Sequence, residues 1–249
     1  MRVLIHGIAG RMGSELARLV SEGVRGSSLA CGVDALGGEG VFTSLGDITD
    51  APAIDCIIDF SFHTAVGAVL DFAVRNNIPA VIATTGLDEG ELALLSRAAE
   101  KIPVFHSANM SVGVALLVEL AKTAALAMPG ADIEIVEKHH NRKADAPSGT
   151  ALMIASELKG VRPELENNPG RAGMARRREN EIGIHAIRVG NVVGEHEVII
   201  GTDSQTVTLK HEAHSRALFA EGALAAAAFL CDMPAGLYDM KALVRRTQT

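Results

Sequence analysis

Arg2-Val3-Leu4-Ile5-His6-Gly7-Ile8-Ala9-Gly10-Arg11-Met12-Gly13 is the stretch whose reading decides the fold. A short apolar run, of the kind a buried strand needs, stops at a glycine. Glycines then recur every third residue, and Met12, Leu16, Leu19 and Val20 follow at helical spacing. A strand, a glycine turn and a helix in that order can cradle a pyrophosphate. Glycine lets the backbone turn tightly and approach a ligand, and a helix N-terminus favours an anion. The spacing is G-x-x-G-x-x-G and not G-x-G-x-x-G, so a tight strand-to-helix turn without a ligand is the competing reading.

Working outward, residues 28–34 read as a second strand. Asp34 ends it about 20 residues beyond the turn, where an acidic side chain accepts the ribose hydroxyls of NAD. A solvated acid at a strand end is the alternative. Ala35 follows and offers no cation to a 2′-phosphate, so NADH is expected as the preferred cofactor. Arg11 could swing towards such a phosphate and keeps NADPH possible. Residues 54–60 are almost wholly apolar and fit a central parallel strand. A helix over 63–76, a strand over 79–83, a helix over 89–100 and a strand over Pro103–His106 complete an alternation that predicts a doubly wound parallel sheet. Ala83-Thr84-Thr85-Gly86 and Ser107-Ala108-Asn109-Met110-Ser111 follow the later strands. Ligands of open α/β sheets lie beyond the carboxyl ends of the strands, which places these loops to hold a nicotinamide. Ordinary turn chemistry is the other reading.

After residue 111 the rhythm changes. Residues 112–128 form a long apolar helix, 132–138 a strand and 150–158 a short helix. Residues 159–181 read as a long polar loop, with Arg176-Arg177-Arg178 on a solvated face. Strands over 184–189, 195–200 and 206–211 predict a second, mixed or antiparallel sheet. An Ala-rich helix over 215–230 is expected to return to the first domain.

Composition narrows the function. The 249 residues are 48% hydrophobic, 21% charged and carry a formal charge of −7. That is globular, and no global basic field attracts nucleic acid. Aromatics are 3%, with no Trp, which leaves no stacking platform for bases. The apolar stretches 112–128 and 217–230 are interrupted by Glu119, Lys122 and Glu221 and read as buried helices, so no membrane partner is expected. Cys31, Cys56 and Cys231 are odd in number and far apart, which reads as reduced thiols in the cytoplasm. The N-terminus carries no secretory hydrophobic core.

Against this acidic background, residues 138–143 gather two histidines and three cations, Lys138, Arg142 and Lys143. Pro147-Ser148-Gly149-Thr150 then opens a helix. Cations beside a helix N-terminus suit an anion, and imidazoles carry protons near neutral pH. The expected partner is a small polyanionic substrate undergoing proton-coupled chemistry. Ser148 or Thr150 can cap the helix, and the amides of Gly149 and Thr150 can face a carboxylate. A plain N-cap and a Lys143–Asp145 ion pair are the bland alternatives. A metal is not expected: no HExxH helix is present, adjacent strand histidines point to opposite faces, and the cations repel a divalent ion. His6, His63, His106, His185, His196, His211 and His214 are scattered and receive no role. The same features fit a non-catalytic NAD-binding sensor that uses the second domain as a ligand or partner module.

The run Glu137-Lys138-His139-His140-Asn141-Arg142-Lys143-Ala144-Asp145-Ala146-Pro147-Ser148-Gly149-Thr150-Ala151-Leu152 resembles the signature of bacterial dihydrodipicolinate reductases (4-hydroxy-tetrahydrodipicolinate reductases), E-x-H-H-x-x-K-x-D-A-P-S-G-T-A, at every fixed position. The turn from Gly7 to Gly13 is similar to the family's G-x-x-G-R-M-G. Thr84-Thr85-Gly86, Ala108-Asn109 with Ser111-Val112-Gly113-Val114, Ile187-Arg188-x-Gly190 with Val193-Gly194-Glu195-His196, and His214-Ser215-Arg216 also match. The resemblance spans almost the whole chain. It implies a Rossmann-type domain over residues 1–110, completed by 216–249, and a mixed α/β domain over 111–215 for substrate binding and tetramer formation. It implies NAD(P)H-dependent reduction of 4-hydroxy-tetrahydrodipicolinate, a small dicarboxylate, to tetrahydrodipicolinate in diaminopimelate and lysine biosynthesis, by a cytoplasmic homotetramer. Carried over, His139 is the proton donor and acceptor and Lys143 a proton donor that also meets substrate. His140, Ser148, Gly149 and Thr150 bind substrate. Gly7, Ile8, Ala9, Gly10, Arg11, Met12, Asp34, Ala83, Thr84, Thr85, Ser107, Ala108, Asn109 and Met110 contact the nucleotide. Two departures stand out: Ala35 where many members have Arg, and Met110 where Phe is common.

Overall fold

The computed structural model describes residues 1–49 and 53–246. In chain order its elements are β1 (Arg2–His6), α1 (Arg11–Ser21), β2 (Ser28–Val33), β3 (Val41–Phe42), β4 (Cys56–Asp59), α2 (Val66–Asn76), β5 (Ala80–Ile82), α3 (Glu89–Ala99), β6 (Pro103–His106), α4 (Val112–Ala127), β7 (Asp132–His139), α5 (Gly149–Val161), β8 (Glu166–Asn168), β9 (Glu181–Arg188), β10 (Gly194–Gly201), β11 (Thr206–Ala213), α6 (Ala217–Leu230), β12 (Gly236–Tyr238) and α7 (Met240–Arg246). They fall into two units, Met1–Val112 with Arg216–Thr249, and Gly113–Ser215.

The first unit is a seven-stranded sheet in the order β12-β6-β5-β4-β1-β2-β3. Every pairing in it is parallel. A parallel strand is covered on both faces and so reads as an unbroken apolar run, and all four residues of β4 are buried. Leu4, Ile57, Ile82 and Val104 point to one face and pack with Val69, Leu70 and Ala73 of α2 and Leu95, Ala98 and Ala99 of α3. Each fully buried Val, Leu or Ile among them contributes roughly 1.5–3 kcal/mol. Phe105 points the other way and meets Phe229 of α6 edge to face at 6.2 Å. The start of α3 is set locally: Asp88 accepts from the Glu91 amide while Glu91 accepts from the Asp88 amide, a reciprocal cap. The chain builds outward from β1 to β3, then returns to the other side of β1 with β4. The sheet reverses between those two strands, where α/β sheets open a crevice.

The second unit is a five-stranded mixed sheet, β11-β10-β7-β9-β8. Strand β7 alternates strictly, with Ile133, Ile135, Glu137 and His139 buried on one face. Antiparallel β10 adds His196, Val198 and Ile200 to that face, with Val198 opposite Ile135 and His196 opposite Glu137. At the isoleucine end the face packs on Leu117, Val118 and Ala121 of α4 and on Ile154, Ala155 and Leu158 of α5. At the other end the same periodicity buries a carboxylate and two imidazoles.

Two expectations need correction. The region 159–181 is not one long loop: α5 runs on to Val161, and Glu166–Asn168 adds the edge strand β8 beside β9. Arg177 is not on a solvated face either. Its guanidinium reaches Asp132 at 2.7 Å, Glu134 at 3.1 Å and the carbonyls of Ile133 and Glu181. Arg171 pairs with Glu134 and Glu181. These carboxylates lie on β7 and β9, so the attraction that orders the segment is non-local. The short strands β3 and β12 and the helix α7 were also not expected.

Candidate active site

In the first unit, a cavity of about 970 Å³ opens beside the glycine turn, lined by Gly7, Gly10, Arg11, Met12, Asp34, Ala35, Ala83, Thr84, Thr85, Ala108 and Met110 among others. Gly7 has φ +80°, and a Cβ there would lie 2.8 Å from the Phe60 carbonyl oxygen. A Cβ on Gly13 would sit 2.0 Å from the Gly7 carbonyl oxygen. Both positions therefore demand glycine, and the turn folds directly against α1. Gly10 is the N-cap of α1, no side chain caps it, and the first turn carries no acid. Uncapped amides of an eleven-residue helix, with Arg11 beside them, face the cavity as an anion cradle, which fits a dinucleotide diphosphate.

Asp34 does two things. It lines the cavity, and its two oxygens accept the amides of Ala9 and Leu36, each at 3.0 Å. Its carboxylate thus ties the turn to the end of β2. Ala35 beside it brings no charge. Four expected residues shape loops and are not among the lining. Ala9 makes the bond to Asp34, and Ile8 packs over Gly32, where a Cβ would meet its Cδ1 at 2.6 Å. Ser107 donates to the Asn109 carbonyl at 2.7 Å, and Asn109 accepts the Ser111 amide at 2.9 Å. Met110 is buried, and Gly222 of α6 lies so close to its carbonyl that no Cβ would fit.

In the second unit, β7 delivers Glu137 and His139 to one face. Glu137 Oε2 lies 2.6 Å from His139 Nδ1. Arg188, next to His139 in the parallel β7–β9 register, grips both Glu137 oxygens at 2.8 Å. The Ser148 amide donates to Glu137 at 3.0 Å. Burial alone would raise the Glu137 carboxyl. Arg188, then His139 and the Ser148 amide, more than offset it and hold the group below its usual range. A carboxylate only accepts, so His139 Nδ1 carries the hydrogen and Nε2 is the ring's remaining polar atom. A Cβ on Gly194 would sit 3.1 Å from that Nε2, so the glycine keeps the approach open.

Ser148 caps α5: its hydroxyl accepts the Ala151 amide at 3.2 Å and lies 3.1 Å from His196 Nε2. The hydroxyl has both a hydrogen and a second lone pair for that contact, so it pairs with either ring tautomer of His196. Burial, reinforced by the nearby His139, pushes the His196 imidazole down to about 4. The two rings meet edge to face at 5.3 Å. The Lys143 ammonium lies 2.8 Å from Asp145, and that ammonium first, then the residue's own amide and that of Gly149, hold the Asp145 carboxyl below its usual range. Asp145 thereby sits on two groups expected to face a substrate carboxylate. The Lys143 amide donates to the His140 carbonyl at 3.1 Å, closing the turn after β7. His139, His140, Lys143, Ser148, Gly149 and Thr150 all belong to this one strand-turn-helix segment.

The residues that sequence reading left without a role are Glu137, Arg188, Gly194 and His196. Glu137 carried a usable signal, since it sits two positions before His139 on a strand and must share its face. Arg188, Gly194 and His196 stand in the matched stretches 187–190 and 193–196, but their places beside Glu137, His139 and Ser148 come only from strand pairing. Among the described residues no three His, Cys, Asp or Glu side chains form a metal-binding group, and no helix is long and apolar enough to cross a membrane.

Residues 1–110 match the family model for the N-terminus of dihydrodipicolinate reductase, and residues 113–244 match that for its C-terminus. The chain is 46% identical over 249 residues to the 4-hydroxy-tetrahydrodipicolinate reductase of Caldanaerobacter subterraneus subsp. tengcongensis, covering 99% of both chains. It is 39% identical to that of Clostridium novyi over 98% of both. Among solved structures, a dipicolinate-bound dihydrodipicolinate reductase from Paenisporosarcina sp. TG-14 superposes with TM-score 0.81 at 25% identity, over 96% of this chain and 97% of that one. A probable dehydrogenase from Thermotoga maritima shares the fold at 10% identity, with TM-score 0.59 over 98% of this chain and 93% of that one.

Proposed function

We infer the chemistry of the site from one premise: the chain belongs to the dihydrodipicolinate reductase family. It is an oxidoreductase that reduces 4-hydroxy-tetrahydrodipicolinate in lysine biosynthesis. The family uses NAD(P)H, and the substrate is of the dipicolinate type.

A bound dihydronicotinamide supplies the hydride. Gly7, Gly10, Arg11 and Met12 receive the diphosphate, Asp34 the adenosine ribose, and the loops at Ala83, Thr84, Thr85 and at Ser107, Ala108, Asn109, Met110 the nicotinamide. Ile8 and Ala9 hold the turn in shape. Asp34 followed by Ala35 supports NADH as the preferred donor. In the second unit, Lys143, His140 and the amides of Gly149 and Thr150 bind the substrate carboxylates, with Ser148 fixing the helix start. An incoming carboxylate takes the place of Asp145 on Lys143 and the Gly149 amide. In its imidazolium form, with Nδ1–H held by Glu137, His139 gives the proton from Nε2 and is left neutral, and Lys143 supports the transfer. The observation that carries this assignment is the 2.6 Å contact between Glu137 and His139, which commits Nδ1 and leaves Nε2 for chemistry. Unit Gly113–Ser215 is also the proposed oligomerisation domain of a homotetramer, and the unpaired cysteines favour the cytoplasm.

The test is consumption of NADH and NADPH, followed by loss of dihydronicotinamide absorbance, with enzymatically generated substrate. The wild type turns over faster with NADH. His139→Gln loses kcat far more than it gains KM, and Lys143→Ala damages both. An unchanged kcat in His139→Gln removes that residue from proton transfer. Light scattering that finds no four-chain particle rejects the tetramer.

A further inference from the structure

The carboxyl ends of β1 and β4 hold a second buried carboxylate–imidazole pair, in the first unit. Asp59 is completely buried. Its Oδ1 accepts from His6 Nδ1 at 2.7 Å and from the Ser61 hydroxyl at 2.6 Å. Its Oδ2 accepts from the Thr84 hydroxyl at 2.6 Å. The Ser61 amide adds a longer contact at 3.3 Å and also donates to the Thr84 hydroxyl at 3.1 Å. A buried carboxylate surrounded by donors is a rigid anchor. It takes the hydrogen of His6 Nδ1 and so fixes the plane of the ring.

Nε2 is then the only polar atom of His6 left, and no described residue hydrogen-bonds to it. His6 lines the same cavity as the glycine turn, whose other charged lining residues are Arg11, Asp34, Asp71 and Arg75. His6 and Asp59 are register partners on β1 and β4, the strands between which the sheet reverses. Along the cavity wall His6 precedes Gly7 of the phosphate turn, while Thr84, joined to it through Asp59, belongs to the loop on the nicotinamide side. His6 thus stands in the cavity wall at the strand reversal, between the glycine turn and the loop that carries Thr84.

We propose that His6, held by Asp59, is a cofactor-binding residue whose Nε2 hydrogen-bonds the diphosphate–ribose link on the nicotinamide side of the bound dinucleotide. Asp59 is its positioning residue, and Ser61 and Thr84 complete the anchor. The proposal rests on reading this cavity as the dinucleotide site. Imidazole can serve either ligand oxygen: neutral Nε2 accepts from a ribose hydroxyl, and the protonated ring donates to a phosphate.

The experiment is calorimetric binding of AMP, ADP, ADP-ribose and NADH to the wild-type chain, to His6→Asn and to His6→Gln. Asparagine keeps an N–H near the Nδ1 position for Asp59 and has no atom where Nε2 was. Glutamine places an amide near the Nε2 position. The expected result is a three- to tenfold loss of affinity, on the order of one hydrogen bond, for ADP-ribose and NADH in His6→Asn. AMP affinity stays within about twofold, as expected for a contact it does not make. His6→Gln recovers part of the loss. Under saturating substrate, His6→Asn raises KM for NADH and leaves kcat near wild type, as a contact equal in ground and transition states must. Equal affinities of wild type and His6→Asn for all four ligands overturn the proposal. So does an equal loss for AMP, which marks a merely structural residue. Wild-type protein that binds none of the four overturns the dinucleotide reading as well.

Discussion

Glu137 Oε2 and His139 Nδ1 are 2.6 Å apart, on residues that share one face of β7. The carboxylate is fully buried and is also clamped by both terminal nitrogens of Arg188. The imidazole is therefore oriented by a carboxylate that is itself held by Arg188 and the Ser148 amide. Proton transfer depends on such orientation, because a general acid works only within hydrogen-bond reach of its target.

Replacing Glu137 by Gln removes the charge and leaves the Arg188 fork with one good acceptor. We expect kcat to fall on the order of tenfold to a hundredfold, part of the 10²–10⁴ available to general acid–base catalysis. KM for substrate changes little. Stability falls by about 1–3 kcal/mol as charge-assisted hydrogen bonds are lost. Steady-state kinetics and urea unfolding check both. A wild-type kcat would show that His139 does not need its partner.

Gly194 controls access to the same ring. An alanine Cβ would approach Nε2 to 3.1 Å, within the space a proton acceptor must enter. Gly194→Ala should lower kcat/KM by about tenfold, which is close to 1.4 kcal/mol of transition-state stabilisation. Folding is little affected, because a strand backbone accepts alanine. An unchanged kcat/KM would place the reacting atom elsewhere.

Cofactor choice should respond to residue 35. Ala35→Arg adds a guanidinium beside Asp34 on the cavity wall. A charge-assisted bond to a 2′-phosphate is worth about 1.5–3 kcal/mol, so kcat/KM for NADPH should rise by at least about tenfold relative to NADH. Kinetics with both donors decide it, and an unmoved ratio would refute the assignment of this wall to the adenosine ribose.

His196 predicts an acid-side loss of stability. Its folded-state value of about 4 lies below the ordinary 6.5, so between those limits the unfolded chain binds the extra proton. Stability is intact above pH 6.5 and declines as the pH falls towards 4, by about 3 kcal/mol at the bottom of the window. His211, also held down by burial, acts in the same direction. The diagnostic is therefore the difference in urea midpoints between wild type and His196→Gln at about pH 7.5 and 5. The variant should lose the steeper part of the slope, and identical slopes would refute the claim.

Much of the first unit was legible because its signals are local. Arg2–His6 and Pro103–His106 match the observed strands, and residues 89–100 nearly match α3. Parallel strands are apolar through their middles, and the start of α3 carries its own cap at Asp88 and Glu91. The segment from His139 to Thr150 was legible for the same reason: strand end, turn and helix start are contiguous. The ion pairs of Arg171 and Arg177 were not, whereas Arg176 and Arg178 are exposed as expected. Arg177 looked solvated because Asp132 and Glu134 lie more than forty positions away. His6 looked incidental because Asp59 stands 53 residues on.

By itself, the order of residues determined the alternation of strands and helices, the glycine turn at Gly7 and Gly13, and the gathering of imidazoles, an ammonium and a helix start between 139 and 150. Those features depend on steric limits and periodicities that act over a few residues. Only the tertiary structure decided which charges are buried and what holds them. Strand β9 brings Arg188 onto Glu137, β10 brings His196 onto Ser148, and β4 brings Asp59 onto His6. A buried charge is stable only with its partner in place, and that partner is supplied by sheet register, which no short stretch of sequence encodes.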